Sequence, residues 1–165
     1  MYEVRRIVKS DYDNVLEFLK NYYLPDNPVL QNFGLSEELD PVFIDIIIKE
    51  LDQGLSLLIE LTENSKILAI CINKFTDTEE HMTELKKLYD DLKPGNLKNY
   101  IEFFYYYKKD FFLQKLGKTN IFEVSRVGVH PDYRENKLTV PIVYEALMIA
   151  KKLDCELMYT DVVSK

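Results

Sequence analysis

The sequence predicts an α/β protein of the mixed α+β kind, with one mixed central sheet and helices on both faces. Two patterns carry this prediction. The strand, helix and strand between residues 121 and 163 require a parallel pair with a right-handed crossover. The two apolar runs between residues 55 and 75 indicate an antiparallel hairpin. One sheet covered by helices accommodates both, and 165 residues suit a single domain, residues 1–165.

The first half of the chain is predicted to hold three strands and two helices. Residues 2–8 alternate apolar and polar side chains, as a half-buried strand does. A helix follows Ser10 and ends before the two prolines of "LPDNP". We expect Ser36 to open a second helix, because apolar residues recur at helical spacing after it. Residues 55–62 and 66–75 form the predicted hairpin.

The second half is predicted to begin with a helical insertion, residues 76–117, in which "PGN" separates two helices. A strand (121–129), a helix (138–154) and a last strand (155–163) follow. The resulting order is β-α-α-β-β-(α-α)-β-α-β. Because α/β domains seldom end on a buried strand, we expect either missing C-terminal elements or a second chain at the sheet edge. The oligomeric state stays open, and a dimer is one outcome.

The composition argues against several classes of partner. The chain carries 28 acidic and 21 basic residues, a net charge of −7, whereas nucleic-acid binding needs a basic surface. No apolar run approaches the ~18 residues of a membrane span, and the charged N-terminus does not resemble a signal peptide. Cys71 and Cys155 belong to no Cys/His cluster, so we expect reduced thiols, no metal and a cytoplasmic location.

The stretch "VHPDYRENKLTV", residues 129–140, connects a predicted strand to a predicted helix. Backbone N–H groups at a helix N-terminus bind anions, and Arg134 and Lys137 would add positive charge to such a site. The alternative is a plain connection with solvated charges. Spacing alone leaves both interpretations open.

Three segments match patterns found in one enzyme superfamily. "VLEFLKNYYLPDNPVLQNFGL" is similar to a "FL…FF…DEPL…LGL" stretch, and "VGVHPDYRENKLT" to a "LSVxPxYRGxGIA" turn. The third segment is the pair of helices inserted before the strand that precedes this turn. The chain thus resembles the GNAT superfamily of acetyl-CoA-dependent N-acetyltransferases over residues 2–165, in particular its insect arylalkylamine branch. The resemblance implies the GNAT fold and direct acetyl transfer from acetyl-CoA to a small primary amine.

The resemblance also implies which residues would bind acetyl-CoA. One strand would pair with the pantetheine arm, and the amides of the following loop would hold the pyrophosphate. On this chain these positions are Val127, Gly128, Val129, Arg134, Glu135, Asn136, Lys137, Leu138 and Thr139. Glu135, Lys137 and Thr139 replace glycines or small residues of the family pattern. Glycine allows close approach and unusual φ values, so the loop departs from the pattern at these positions.

Two residues are candidates for the position of the general base. The resemblance places Asn27 where the arylalkylamine branch carries the Glu of "DEP", and asparagine does not accept a proton near neutral pH. Glu123 lies on the cofactor strand at a phase where the histone-acetyltransferase branch carries its base, and burial is expected to raise its pKa. The alternatives for Glu123 are a solvated carboxylate or an ion pair with Arg126. Ser164 falls where the branch carries serines near its active site.

The aromatic block "YIEFFYYYKKDFF" has two interpretations. It forms either a helix packed on the core or a wall of an amine pocket. His81 and His130 receive no role. The chain is accordingly predicted to be an N-acetyltransferase, with a degenerate GNAT module that acts in binding or structure as the alternative. The replaced glycines and Asn27 favour this alternative, whereas the element order favours the enzyme.

Overall fold

The computed structural model describes residues 1–117 and 119–161. Five strands form one sheet, in which their spatial order is their order along the chain. They are β1 (Tyr2–Arg6), β2 (Leu57–Leu61), β3 (Ile67–Asp77), β4 (Asn120–Val129) and β5 (Leu157–Thr160). Neighbours are antiparallel from β1 to β4, and β5 lies parallel to β4. The mixed sheet predicted from the sequence is confirmed.

Helices cover both faces of this sheet. They are α1 (Tyr12–Phe18), α2 (Pro28–Asn32), α3 (Pro41–Leu51), α4 (Thr78–Asp91), α5 (Asn96–Lys109) and α6 (Thr139–Lys152). α1 continues into a π-helical turn, Leu19–Tyr23, and α5 continues into a second one, Asp110–Leu116. No helix within residues 1–117 and 119–161 is long and apolar enough to cross a membrane.

The sheet separates two hydrophobic cores, because side chains alternate between the two faces of each strand. One core joins α1, α3 and one face of the sheet, and it includes Val15, Phe18, Leu19, Ile47, Ile70 and Ile72. The other joins α6 to the opposite face, and it includes Ala69, Cys71, Phe122, Val124, Ile142, Ala146 and Ile149. Burial on both faces explains why β3 begins as a continuous apolar run rather than an alternating one.

The second predicted helix begins later than the sequence suggests. Ser36 precedes the helix, and α3 starts at Pro41. Asp40 is the residue that caps it, because its Oδ1 accepts a hydrogen bond from the Val42 N–H at 2.8 Å. Proline suits the first helical position, where its missing N–H would have had no intrahelical partner.

Two further differences concern the stretch around the prolines and the last strand. "LPDNP" ends one helix as predicted but also begins another, since Asn27 caps α2 and Pro28 takes its first position. β5 ends at Thr160. Residues 162–163 of the predicted strand, and Ser164, lie outside the described residues.

Candidate active site

The outer edge of β4 is partly free, and this makes it a candidate binding surface. β5 pairs with β4 only as far as Val124, which lies opposite Thr160. β4 continues to Val129, and on the side away from β3 no strand of the described residues pairs with this part. Such an edge presents N–H and C=O groups to an extended ligand. Val127, Gly128 and Val129 lie along it, where the resemblance places the pantetheine arm.

Gly128 also allows α1 to pack closely on β4. A Cβ atom at this position would lie only 3.1 Å from Cε1 of Phe18. A side chain here would therefore require the Phe18 ring to shift by a few tenths of an ångström.

The loop after β4 keeps a glycine-like backbone although it contains no glycine. A 3-10 helix, Pro131–Asn136, is followed by Lys137 in the left-handed region, with φ 55° and ψ 32°. Non-glycine residues seldom adopt this region because Cβ approaches the backbone. Leu138 is buried and anchors the loop. The predicted departure at Lys137 therefore changes the side chain while the backbone adopts the conformation that glycine favours.

The loop leads directly into the N-terminus of α6, whose first residue is Thr139. The first N–H groups of a helix have no intrahelical acceptor and carry partial positive charge. The side chains around them are exposed, namely those of Arg134, Glu135, Asn136 and Lys137. Together these features make the loop a candidate site for an anion.

Arg134 already has partners within the protein. Its Nη2 donates to Asp26, which belongs to the segment between α1 and α2, and its Nε donates to the Val129 carbonyl at 3.4 Å. The side chains of Arg134 and Asp26 are about 45% and 37% exposed. At such exposure the pair contributes little stability, so the guanidinium can also contact an anion in the loop.

A cavity of about 510 Å³ lies at the other end of this unpaired part of β4, near Ser125 and Arg126, between α3, α4, α5 and β4. Aromatic side chains form part of its wall, including Tyr23, Phe43, Tyr100 and Phe104. Asn27 and Glu123 line the same cavity, together with further charged residues that include Glu50, Lys108, Arg126 and Asp161. The structure thus brings both predicted base positions to one site.

Asn27 acts as a helix cap at this site. Its Oδ1 accepts hydrogen bonds from the N–H groups of Val29 and Leu30, at 3.0 and 3.1 Å. Its Nδ2 donates to the Tyr23 hydroxyl at 3.0 Å. The amide at the branch base position therefore holds the start of α2 in place.

Glu123 is buried and paired with a lysine. Its Oε1 lies 2.6 Å from Nζ of Lys108, and both side chains are 7% exposed. Burial alone would raise the pKa of Glu123, but Lys108 and His81 outweigh burial and hold this pKa well below its usual range. The expectation of a raised pKa is therefore wrong. The predicted alternative partner, Arg126, pairs elsewhere.

Arg126 pairs with Glu50 of α3. Arg126 Nη1 donates to Glu50 Oε2, which also accepts from the Ser125 hydroxyl at 3.1 Å. The guanidinium lies over the Phe43 ring, 5.0 Å from its centroid. The exposed fractions of the Arg126 and Glu50 side chains are 8% and 12%, so the ion pair is shielded from water.

Lys108 connects two strands from its position on α5. Besides Glu123 on β4, its Nζ lies 3.4 Å from Oδ2 of Asp161, the residue after β5. Three rings surround the ammonium with centroids 5.5–5.9 Å away, those of Phe104, Phe112 and Tyr159. The Tyr159 hydroxyl donates to Asp161.

His81 of α4 completes this charged cluster. Its Nδ1 lies 3.7 Å from Glu123 Oε2 and 3.5 Å from Nζ of Lys74. Its Nε2 is buried and has no hydrogen-bond partner among the described residues. Burial lowers the pKa of His81 to about 4 despite the neighbouring carboxylate, so the imidazole is neutral at pH 7. Sequence reasoning assigned His81 no role.

Part of the aromatic block forms a wall of the cavity, and another part faces away from it. One face of α5 lines the cavity through Tyr100, Phe104 and Lys108. Another face is exposed, with Phe103, Tyr106 and Tyr107. Within residues 1–117 and 119–161, no group of three His, Cys, Asp or Glu side chains is arranged to hold a metal ion.

Comparison with known proteins identifies the architecture. No family model and no curated protein matches the sequence. Arylalkylamine N-acetyltransferase 2 from Aedes aegypti has a similar structure, with a TM-score of 0.87 and 16% identity over 99% of this chain and 77% of that one. The Drosophila melanogaster polyamine N-acetyltransferase, which forms N-acetylagmatine, also reaches 0.87, with 14% identity over 100% and 78%. The chain therefore has the GNAT fold, in the form of these insect N-acetyltransferases.

Proposed function

We propose that this protein is an acetyl-CoA-dependent N-acetyltransferase that acts on a small primary amine. One observation carries the proposal. The part of β4 that no described strand pairs with leads at one end into a loop of exposed residues before the N-terminus of α6, and at the other end into a cavity with buried carboxylates. Acetyl-CoA has a pyrophosphate for the loop, an extended arm for the strand edge and a reactive thioester for the cavity, in this order. The free cysteines, Cys71 and Cys155, and the charge of −7 favour a small-molecule enzyme of the cytoplasm.

The cosubstrate fits the residues that are present. The N–H groups of the loop from Arg134 to Thr139 would bind the pyrophosphate, helped by the N-terminus of α6. Lys137 is exposed in this loop and would add a positive charge to the phosphate site. Val127, Gly128 and Val129 would pair with the pantetheine arm as a neighbouring strand does.

The chemistry requires a proton acceptor in the cavity. The amine nitrogen loses a proton to a carboxylate and forms a bond to the acetyl carbon. The carbon–sulfur bond then breaks, and the thiolate leaves with the electron pair and later takes a proton. Glu123 on β4 is one candidate for this acceptor, but its contact with Lys108 stabilises its charged form and so disfavours proton uptake.

The walls of the cavity favour an arylalkylamine-like acceptor. The rings of Phe43 and Tyr100 suit an aromatic ring, and buried carboxylates suit an ammonium group. The carboxylates Glu50 and Glu123 are each paired with a cation of this chain. A polyamine would need a carboxylate for each of its ammonium groups, whereas an arylalkylamine needs only one.

A thiol-release assay tests the function. The protein is incubated with saturating acetyl-CoA and either tyramine, agmatine or spermidine, and free thiol is followed with time against an amine-free control. We expect the largest release with tyramine. No release above the control with any amine would contradict the proposal.

The second candidate is a GNAT module without catalysis. Lys137 in the cofactor loop and Asn27 at the branch base position favour it. The two candidates differ in a measurable way. A module that retains binding alone would be stabilised by acetyl-CoA, since a ligand of the native state raises the melting temperature, but would release no thiol.

A further inference from the structure

Asp161 occupies a distinctive position among the carboxylates of the cavity. The exposed fractions of the Glu123 and Glu50 side chains are 7% and 12%, whereas that of Asp161 is 23%. Its contact with Lys108, at 3.4 Å, is longer than the 2.6 Å contact of Glu123 with the same ammonium. Asp161 is therefore the least enclosed carboxylate of these three buried ion pairs.

The position of Asp161 relative to the free edge of β4 follows from the strand register. Within the described residues, the pairing of β4 with β5 ends at Val124 and Thr160, and Asp161 is the next residue of the chain. If the pyrophosphate is held after Val129, as the proposed function requires, the cosubstrate arm runs back along β4 from Val129 toward Ser125. The thioester then reaches the point where this pairing ends. This is the position of Asp161.

The charges around Asp161 favour an incoming ammonium. Lys108 carries one positive charge and contacts two carboxylates, Glu123 and Asp161, so the three groups together carry one net negative charge. Arg126 and Glu50, in contrast, balance each other. The faces of Phe104 and Tyr159 that lie near the Lys108 ammonium would also attract a second cation.

We propose that Asp161 is the carboxylate that receives the acceptor amine and takes its proton. The ammonium of the acceptor donates to Asp161 and transfers a proton to its carboxylate, which becomes a carboxylic acid. The nitrogen lone pair then forms the bond to the acetyl carbon, the carbon–sulfur bond breaks, and the sulfur leaves as a thiolate, which takes the second proton that the nitrogen loses in becoming an amide. Lys108, Glu123 and the Tyr159 hydroxyl are positioning groups, because they contact Asp161 or its partner and hold it next to the last described pair of β4 and β5. The inference rests on the proposed function and names its proton acceptor.

Substitution of Asp161 tests this assignment directly. Asp161→Asn keeps the size of the side chain and removes the proton acceptor. We expect kcat for acetyl transfer to fall by about 100-fold or more, the usual contribution of a general base. The melting-temperature shift caused by acetyl-CoA should stay at the wild-type value, which shows that fold and cosubstrate site are intact. Asp45→Asn, an exposed carboxylate of α3, is the matched control and should keep wild-type kcat.

Chemical rescue separates a proton acceptor from a structural carboxylate. In Asp161→Ala, added formate supplies a small carboxylate to the vacated space, and we expect it to raise the rate in proportion to its concentration. Formate should not affect Asp161→Asn, whose side chain fills the space. Wild-type kcat in Asp161→Asn would overturn the inference while leaving the function intact. Formate rescue of Glu123→Ala but not of Asp161→Ala would overturn it in favour of Glu123. An inactive wild type would overturn both proposals.

Discussion

The cofactor loop after β4 and the acceptor cavity beside β4 are shaped by different kinds of interaction. On the cofactor side, the shape depends on the backbone, and Lys137 adopts the left-handed conformation that glycine favours. On the acceptor side, the shape depends on side-chain charges, which are buried and matched in pairs across α3, α5, β4 and β5. A backbone conformation survives many substitutions, whereas a buried ion pair fails when one partner is lost. Single substitutions should therefore lower the free energy of unfolding more on the acceptor side than on the cofactor side.

Loss of one partner of a buried pair should have the largest effect on stability. Glu50→Gln leaves the Arg126 guanidinium without its counter-charge in a site where only 8% of its side chain is exposed. Such a loss typically costs about 3–5 kcal/mol of unfolding free energy. Urea unfolding measures it. Asp90→Asn, which breaks the exposed Lys86–Asp90 pair, is the matched control and should leave the urea midpoint unchanged. Equal effects of both substitutions would remove the contrast between buried and exposed pairs.

Acid should weaken the acceptor side through His81. Burial lowers the pKa of His81 from 6.5 to about 4. Between these pH values the imidazole is protonated in the unfolded chain and neutral in the folded protein. The free energy of unfolding is therefore highest above pH 6.5 and decreases as the pH falls toward 4, by about 3 kcal/mol. His81→Phe should show a weaker dependence on pH across this window in urea unfolding. An unchanged pH dependence would mean that His81 is protonated in the folded protein.

Loss of the helix cap at Asn27 should have an intermediate effect on stability. Asn27→Ala removes the acceptor for the N–H groups of Val29 and Leu30 and should cost about 1 kcal/mol. Asn27→Asp keeps a cap oxygen and should retain most of the stability. If alanine were tolerated as well as aspartate, the position would not act through the cap.

The cofactor loop should show the smallest change in stability, and in the opposite direction. Lys137→Gly relieves a steric cost of about 1–2 kcal/mol, partly offset by the ~0.4–1 kcal/mol of extra freedom that glycine gives the unfolded chain. A net gain of roughly 0.5 kcal/mol is expected in urea unfolding.

Measurement of acetyl-CoA binding separates the effect of the Lys137 backbone conformation from the effect of its charged side chain. Asp154→Gly is the matched control, because Asp154 also has positive φ, at 52°, but lies at the far end of α6. Both glycine variants should gain stability, and only Lys137→Gly should bind acetyl-CoA less tightly, through loss of a phosphate contact. Tighter binding in Lys137→Gly would mean that the lysine obstructs the site.

The elements of the fold could be predicted because their signals are local. Apolar runs and turn residues marked the strands, and the crossover before β5 required the parallel pair. The cap at Asn27 has a local signal too, since Asn followed by Pro is typical of a helix start as well as of a helix end. Asp40 followed by Pro41 carries the same signal, which locates the start of α3 better than Ser36 does.

The charged cluster could not be predicted because its partners are far apart in sequence. Arg126 and Glu50 are separated by 76 residues, and only the packing of α3 against the sheet brings them together. Lys108 stands in an aromatic block whose local pattern favours a core or pocket helix and indicates no ion pair. His81 lies in a highly charged helix, where an exposed position is the usual outcome. Its burial depends on contact with Phe112 from a different segment.

The proposed function requires that the loop from Arg134 to Thr139 binds a pyrophosphate through its backbone although Lys137 replaces glycine. Melting temperatures of the wild-type protein with acetyl-CoA and with S-acetylpantetheine, which lacks the nucleotide and pyrophosphate, test it most directly. Acetyl-CoA at 100 times its Kd should stabilise the protein by about 2.7 kcal/mol, and S-acetylpantetheine at the same concentration by much less. Absence of a shift with saturating acetyl-CoA, or equal shifts with both ligands, would contradict the account.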